Sequence, residues 1–175
     1  MNLENGRIRI RNAAPDDAPI LVSWWNDGSV MAHAGFPNGL GTDEDTVRSQ
    51  ILAESDDTVR RHIIEYDGVP IGEMNYRNKG SGRCEIGIKI TVPSMQNRGL
   101  GKKILSLFIT GLFECLDYSL ICLDTNLNNL RAQHVYEQLG FRKIRVNVDS
   151  WTDQLGRAQS SVDYELTREG FHPYR

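Results

Sequence analysis

Cysteine is scarce: the 175-residue chain has three, Cys84, Cys115 and Cys122, an odd number in no CxxC spacing. Each sits in an apolar pattern, which reads as core thiols in a reducing, cytoplasmic compartment and not as a disulfide framework or a cysteine metal set. The four histidines, His33, His62, His134 and His172, show no HxxxH or HExxH spacing, so no metal is expected. Long hydrophobic runs are missing too. The most apolar stretch, Ile104 to Leu116, is broken by Ser106, Thr110 and Glu114, short of the roughly 20 residues of a membrane span. Met1 to Arg11 lacks the apolar core of a signal peptide. An excess of one charge is absent as well: 20 basic against 23 acidic side chains leave a net charge of −3. That balance argues against strong, non-specific nucleic-acid binding and leaves amine substrates open.

What is present fits one soluble domain over residues 1–175, with 39% hydrophobic and 25% charged residues. A chain of this size buries roughly 70% of its unfolded surface. Arg7 to Arg11 alternates arginine with Ile8 and Ile10, as a half-buried strand does. Pro15-Asp16-Asp17 opens a helix through Ile20, Leu21, Trp24 and Trp25. Asn26 to Gly41 has no period and reads as a loop, and Thr42 to Asp45 starts a second helix. Arg61–Tyr66 and Val69–Tyr76 flank Asp67-Gly68, a strong hairpin signal. After a polar turn at 77–83, Cys84 to Val92 forms a strand with Cys84, Ile86, Ile88 and Ile90 on one face and Glu85, Gly87, Lys89 and Thr91 on the other. Gly99 to Leu116 is an amphipathic helix. Tyr118 to Asp124 reads as a strand buried on both faces. Asn129 to Leu139 is a helix closed by Gly140, and Phe141–Ser150 and Ser160–Leu166 are final strands. The class is α+β, in the order β-α-α-β-β-β-α-β-α-β-β.

Chemistry concentrates in Gln96-Asn97-Arg98-Gly99-Leu100-Gly101-Lys102, between a strand and a helix. Two glycines permit a tight turn and close approach of a ligand, and the helix start offers free N–H groups and a positive dipole end. Arg98, Lys102 and Lys103 add positive charge, so the segment suits a phosphate or pyrophosphate. A plain glycine turn with a solvated basic edge is the competing reading of this stretch alone. A Walker A loop would need Gly at position 96 and Ser or Thr at position 103, where Gln96 and Lys103 stand. A dinucleotide fingerprint would need glycine where Ile104 stands.

The segment resembles the pyrophosphate loop of the GCN5-related N-acetyltransferase (GNAT) superfamily, Gln/Arg-x-x-Gly-x-Gly/Ala. A second stretch, Asn129-Leu130-Arg131-Ala132-Gln133-His134-Val135-Tyr136-Glu137-Gln138-Leu139-Gly140-Phe141, is similar to that family's Asn-x-x-Ala-x-x-x-Tyr-Glu-x-x-Gly-Phe helix, thirty-three residues on. Trp24-Trp25-Asn26 and Leu166-Thr167-Arg168-Glu169 resemble the branch of ribosomal-protein N-terminal acetyltransferases and some antibiotic acetyltransferases. The resemblance implies a mixed, mostly antiparallel central sheet flanked by helices. It implies acetyl-CoA as acyl donor with no metal, and transfer to a primary amine by direct attack. The acceptor implied is a protein N-terminus or a small amine, and a homodimer stays open.

The family position implies that Gln96, Asn97, Arg98, Gly99, Leu100, Gly101 and Lys102 hold the pyrophosphate. It implies that Lys89, Ile90 and Thr91 pair with the pantetheine arm and that Asn129 touches the cofactor. Tyr136 is the expected general acid, two helical turns after Asn129 and so on the same face. Glu85 and Asp124 are the candidate bases, with Glu73 behind them; each is equally readable as a structural hydrogen bonder. Trp24, His33 and Phe36 are expected to contact the acceptor, and the last hairpin, with Trp151 and Asp153, to close the other side. A catalytically inactive CoA-binding regulatory module is the alternative. A ribosome-associated protein using Arg7, Arg9, Arg11, Arg60 and Arg61 is a third reading. Charge is also unevenly placed: three basic residues and no acid over 96–103, against six acids and one arginine over 42–57.

Overall fold

A computed structural model describes residues 1–175. Eight strands form one sheet: β1 (Asn2–Asn5), β2 (Ile8–Asn12), β3 (Val59–Tyr66), β4 (Val69–Gly80), β5 (Arg83–Ile90), β6 (Leu120–Asn126), β7 (Arg142–Thr152) and β8 (Ala158–Thr167). Their order is β1-β2-β3-β4-β5-β6-β8-β7. Every neighbouring pair is antiparallel except β5 and β6, which run parallel. The helices are α1 (Ala18–Trp25), α2 (Gly28–Met31), α3 (Glu44–Ala53), α4 (Leu100–Glu114) and α5 (Leu130–Gln138). The mixed, mostly antiparallel α+β sheet flanked by helices is the architecture expected. No helix is long and apolar enough to cross a membrane.

Strand alternation sorts side chains onto two faces. One carries Ile10, Ile64, Met74, Tyr76, Ile86, Ile121, Leu123, Val162 and Tyr164, and meets Ile104, Phe108, Ile109 and Leu112 of α4 in the main core. These four helix residues recur at helical spacing, and burying each contributes roughly 1.5–3 kcal/mol. On the other face a smaller core joins Leu21 and Trp25 of α1, Met31, and Val47 and Ile51 of α3 to Ile63 of β3. This second cover lies over the β3 side and leaves β6 open.

Several sequence expectations need correction. The first hairpin begins earlier than Arg7, because β1 pairs with β2 about a turn at Gly6. The stretch read as a loop after Asn26 contains the single-turn helix α2, begun by Asp27, whose carboxylate accepts the Ser29 N–H. Pro15–Asp17 forms a 3-10 turn ahead of α1. The Asp17 carboxylate accepts the Ala14 N–H at 2.7 Å and pairs with Arg11 instead of capping the helix. β4 continues to Gly80, so the polar turn shrinks to Ser81-Gly82. β6 is buried on one face only: Ile121 and Leu123 enter the core while Cys122 is half-buried and Asp124 exposed. Of the thiols only Cys84 is fully buried; Cys115, past the end of α4, is exposed.

Candidate active site

β5 and β6 pair over only three positions, Arg83↔Leu120, Cys84↔Ile121 and Glu85↔Cys122, and then splay apart. Beyond that point β5 stays bonded to β4 and β6 to β8, so a gap opens inside the sheet. The antiparallel register assigns the peptide groups of Glu85, Gly87 and Lys89 to β4, in step with Thr91, which donates its N–H to Ile71 O at 2.8 Å. The intervening Ile88 and Ile90 therefore turn their peptide groups toward the gap. Of the trio Lys89, Ile90 and Thr91, only Ile90 presents its backbone there. Its carbonyl accepts Gln96 Nε2 at 2.8 Å, which ties the following loop to the strand end.

That loop delivers the N-terminus of α4 to the mouth of the gap. Asn97 and Gly99 adopt positive φ, +62° and +72°. Gly99 is the N-cap and has no side chain with which to cap, so the first N–H groups of a fifteen-residue helix remain free. A Cβ on Gly101 would meet only Ile90 Cδ1, at 3.8 Å, so nothing in the protein itself requires glycine there. Free amides, a positive dipole end, and exposed Arg98 with Lys102 and Lys103 alongside form a cradle that fits a pyrophosphate. Lys102 Nζ rests 4.6 Å above the Tyr174 ring.

The opposite wall comes from β6 and α5. Asn129 caps α5 with its Oδ1 on the Ala132 N–H at 3.2 Å, which leaves its amide donors free. Tyr136 lies two turns on, packed against Phe141 and Tyr164. The residue is 7% exposed and its hydroxyl makes no hydrogen bond within the chain, yet that oxygen is not among the sealed, unpartnered atoms. Burial first, then the charge of Asp124, pushes its pKa up to about 12, so the phenol stays protonated at neutral pH.

Acids line the face away from α4. Glu85 pairs in register with Cys122, Cys122 with Glu165 and Asp124 with Asp163. Asp163 is engaged by Asn147 Nδ2 at 3.1 Å and Arg145 Nε at 3.5 Å, and Glu165 by Arg83 at 3.4 Å. Glu85 and Asp124 have no such partner. Asp124 keeps surface exposed at the mouth of the gap, but partial burial first, then the charges of Glu85 and Asp163, raises its carboxyl above the usual carboxylate value. Cys122 donates to Cys84 O at 3.3 Å, and burial followed by Glu85 keeps it a thiol. Glu73, the third carboxylate, is already engaged. Trp25 Nε1 donates to it at 2.8 Å, Lys89 Nζ lies 3.8 Å away, and Arg61, stacked 4.5 Å over Trp25, lies 4.0 Å from its other oxygen.

The structure thus brings Gln96 to Lys102, Ile90, Asn129, Tyr136, Glu85 and Asp124 around one gap. The residues expected to meet the acceptor differ among themselves. Trp24 is half-buried against the smaller core, whereas His33 and Phe36 are exposed in the loop after α1. Sequence reasoning missed the anchoring of Trp25 by Glu73 and the contact of Gln154 with that loop, since neither has a local signal: the partners are 48 and about 116 residues apart.

Known proteins resemble this chain in sequence and fold. A family model described as an acetyltransferase (GNAT) domain matches residues 7–142. The aminoglycoside N(6′)-acetyltransferase type 1 of Klebsiella pneumoniae is 26% identical over 153 residues, which are 79% of this chain and 76% of that protein. Among solved structures, spermidine N-acetyltransferase from Vibrio cholerae, in complex with CoA and spermine, superposes with a TM-score of 0.82 at 19% identity, over 95% of this chain and 98% of that one. YncA of Salmonella typhimurium, with its cofactor acetyl-CoA, gives 0.75 at 20% identity, over 93% and 94%. At these identities the solved structures show a common fold.

Proposed function

The chain belongs to the GNAT acetyltransferase family, and from that premise we propose that it moves an acetyl group from acetyl-CoA directly to a primary amine of a small cationic acceptor. The observation that carries this reading is the pair of unneutralised carboxylates, Glu85 and Asp124, at a sheet gap that also holds a protonated tyrosine. Acids without counterions attract an ammonium group and can take its proton. The relatives named above act on an aminoglycoside and on spermidine, both polycationic amines. That favours a small acceptor over the protein N-terminus of the ribosomal-protein branch.

Acetyl-CoA supplies an activated thioester and three phosphates. The free amides at the start of α4, with Arg98, would hold the pyrophosphate, and the Ile88 and Ile90 peptides would extend β5 by pairing with the pantetheine arm. The free amide of Asn129 lies on the opposite wall, toward the same arm. Asp124, its pKa raised above the usual carboxylate value, takes a proton from the incoming ammonium, directly or through a water. The neutral nitrogen then attacks the carbonyl carbon. As the carbon–sulfur bond breaks, the nitrogen releases its extra proton to water and the Tyr136 hydroxyl gives its proton to the sulfur; Tyr136 then recovers a proton from solvent and Asp124 releases one to it. No residue carries the acetyl group, consistent with a Cys122 that stays a thiol.

Thiol release from acetyl-CoA across aminoglycosides, polyamines and peptides of varied N-terminus tests the assignment. The highest kcat/KM is expected on a polyamine or an aminoglycoside. Calorimetric CoA binding with no turnover on any amine would instead identify a non-catalytic CoA-binding module, and a preference for peptides would restore the protein N-terminus as acceptor.

A further inference from the structure

The loop after α1 and the hairpin between β7 and β8 are distant in sequence and meet in space through one residue. Gln154, near the hairpin tip, donates its backbone N–H to Gly35 O at 2.8 Å. Its side chain donates Nε2–H to Gly39 O at 3.0 Å and accepts the Asn38 N–H on Oε1 at 2.9 Å. A single residue therefore fixes three backbone groups of the loop. Alongside, Trp151 packs so tightly on Gly35 that a Cβ there would lie 2.5 Å from Cζ3 of the indole, and Gly35 holds φ at +95°.

Both partners in this contact are braced from below. Buried Asp153 accepts the N–H groups of Leu155 and Arg157, each at 2.9 Å, and Gln159 Nε2 at 3.1 Å. Gln159 in turn accepts Asn126 Nδ2 at 3.0 Å, at the end of β6. On the other side, Leu40 donates its N–H to Trp25 O at 2.8 Å, and Trp25 is held by Glu73 of β4. Loop and hairpin thus form an arch with one foot on β4 and the other on β6 and β8. In the sheet only β5 lies between those feet. The arch therefore stands over the open end of the β5–β6 gap, on the face that carries Glu85 and Asp124.

We propose that Gln154 is a positioning residue for the amine acceptor: its three hydrogen bonds hold residues 26–41 as one wall of the acceptor entrance, so that amine affinity and the choice among amines depend on this staple. The proposal rests on the acetyl-transfer reading above. Gln154 touches neither the pyrophosphate cradle nor Tyr136, so donor binding and the chemical step do not depend on it. Its own side chain is exposed, so replacing it does not open the core.

The test compares Gln154→Ala and Gln154→Met, the second keeping the length but not the two side-chain hydrogen bonds (the backbone bond to Gly35 remains in both), with the wild-type chain and with Leu155→Ala as a neighbouring control. Both Gln154 variants are expected to raise the amine KM about tenfold and to narrow the kcat/KM ratio between preferred and poor amines. The acetyl-CoA KM and kcat stay within about twofold, Tm within about 3 °C, and Leu155→Ala changes none of these. Amide hydrogen exchange at Asn38 speeds up in both Gln154 variants. An unchanged amine KM overturns the proposal. So does a loss in which the acetyl-CoA KM and Tm move together with the amine KM, the mark of a merely structural residue. A wild-type chain that releases no thiol with any amine overturns the acetyl-transfer reading and this proposal with it, and active wild-type enzyme separates the two failures.

Discussion

The two faces of the sheet are built for different purposes. The face under α4 and α5 is almost wholly apolar and joins twenty-four buried residues into one core. The opposite face joins only eight around α1 and α3, and past β4 it carries Glu85, Cys122, Asp124, Asp163 and Glu165 instead. Apolar burial is concentrated on the first face and unpaired carboxylates on the second, and the β5–β6 gap lies where the two faces meet. Tyr136 reaches that gap from the apolar side, which is why burial dominates its raised pKa. Asp124 reaches it from the acidic side.

The contrast can be broken or sharpened by substitution. Phe108→Ala, in the middle of the apolar face, is expected to cost about 3–5 kcal/mol in denaturant unfolding; a cost below about 1 kcal/mol would show that this face is not the main source of stability. Asp124→Asn, on the acidic face, should leave that stability nearly untouched and lower kcat about a hundredfold. The same variant is expected to remove the pH dependence that comes from a carboxyl titrating above its ordinary value. Equal kcat in wild type and variant would shift the base to Glu85.

A smaller effect distinguishes the apolar face by pH. His62 is fully buried between Tyr76 and Phe108 with neither ring nitrogen hydrogen-bonded. Burial, then the N-terminal ammonium and Arg60, depress its pKa from 6.5 to about 3. Because the folded value is depressed, the unfolded chain takes up the proton first. The stability is complete above pH 6.5 and falls by up to about 1.4 kcal/mol per pH unit as the pH drops toward 3. His62→Leu should flatten that slope in unfolding curves at pH 7 and pH 5; an unaltered slope would mean that His62 has a partner in solution.

Much of this division is legible in the sequence wherever it is written locally. The alternation from Cys84 to Ile90 places Glu85 on the correct face. The spacing from Leu100 to Leu112 gives α4 and its buried stripe, and the two glycines mark the uncapped helix start. Long-range facts are not legible. The apolar run of β6 looks doubly buried, but the helices on the second face cover β3 and stop short of β6, so Cys122 and Asp124 face a cleft. Trp25 reads as one more apolar residue of a helix until Glu73 is found against its indole nitrogen. Gln154 sits in a polar hairpin with nothing to distinguish it from Gln159, and its role emerges only where the hairpin meets the loop at Gly35 and Gly39.

The central claim is that a tyrosine delivered from the apolar side protonates the departing thiolate at a gap that otherwise binds the donor through backbone. Steady-state turnover of Tyr136→Phe, measured with acetyl-CoA binding by calorimetry on the same preparation, tests it most directly. A fall in kcat of about a hundredfold or more with acetyl-CoA affinity changed less than about threefold is the predicted result. A kcat equal to that of the wild type would contradict the account.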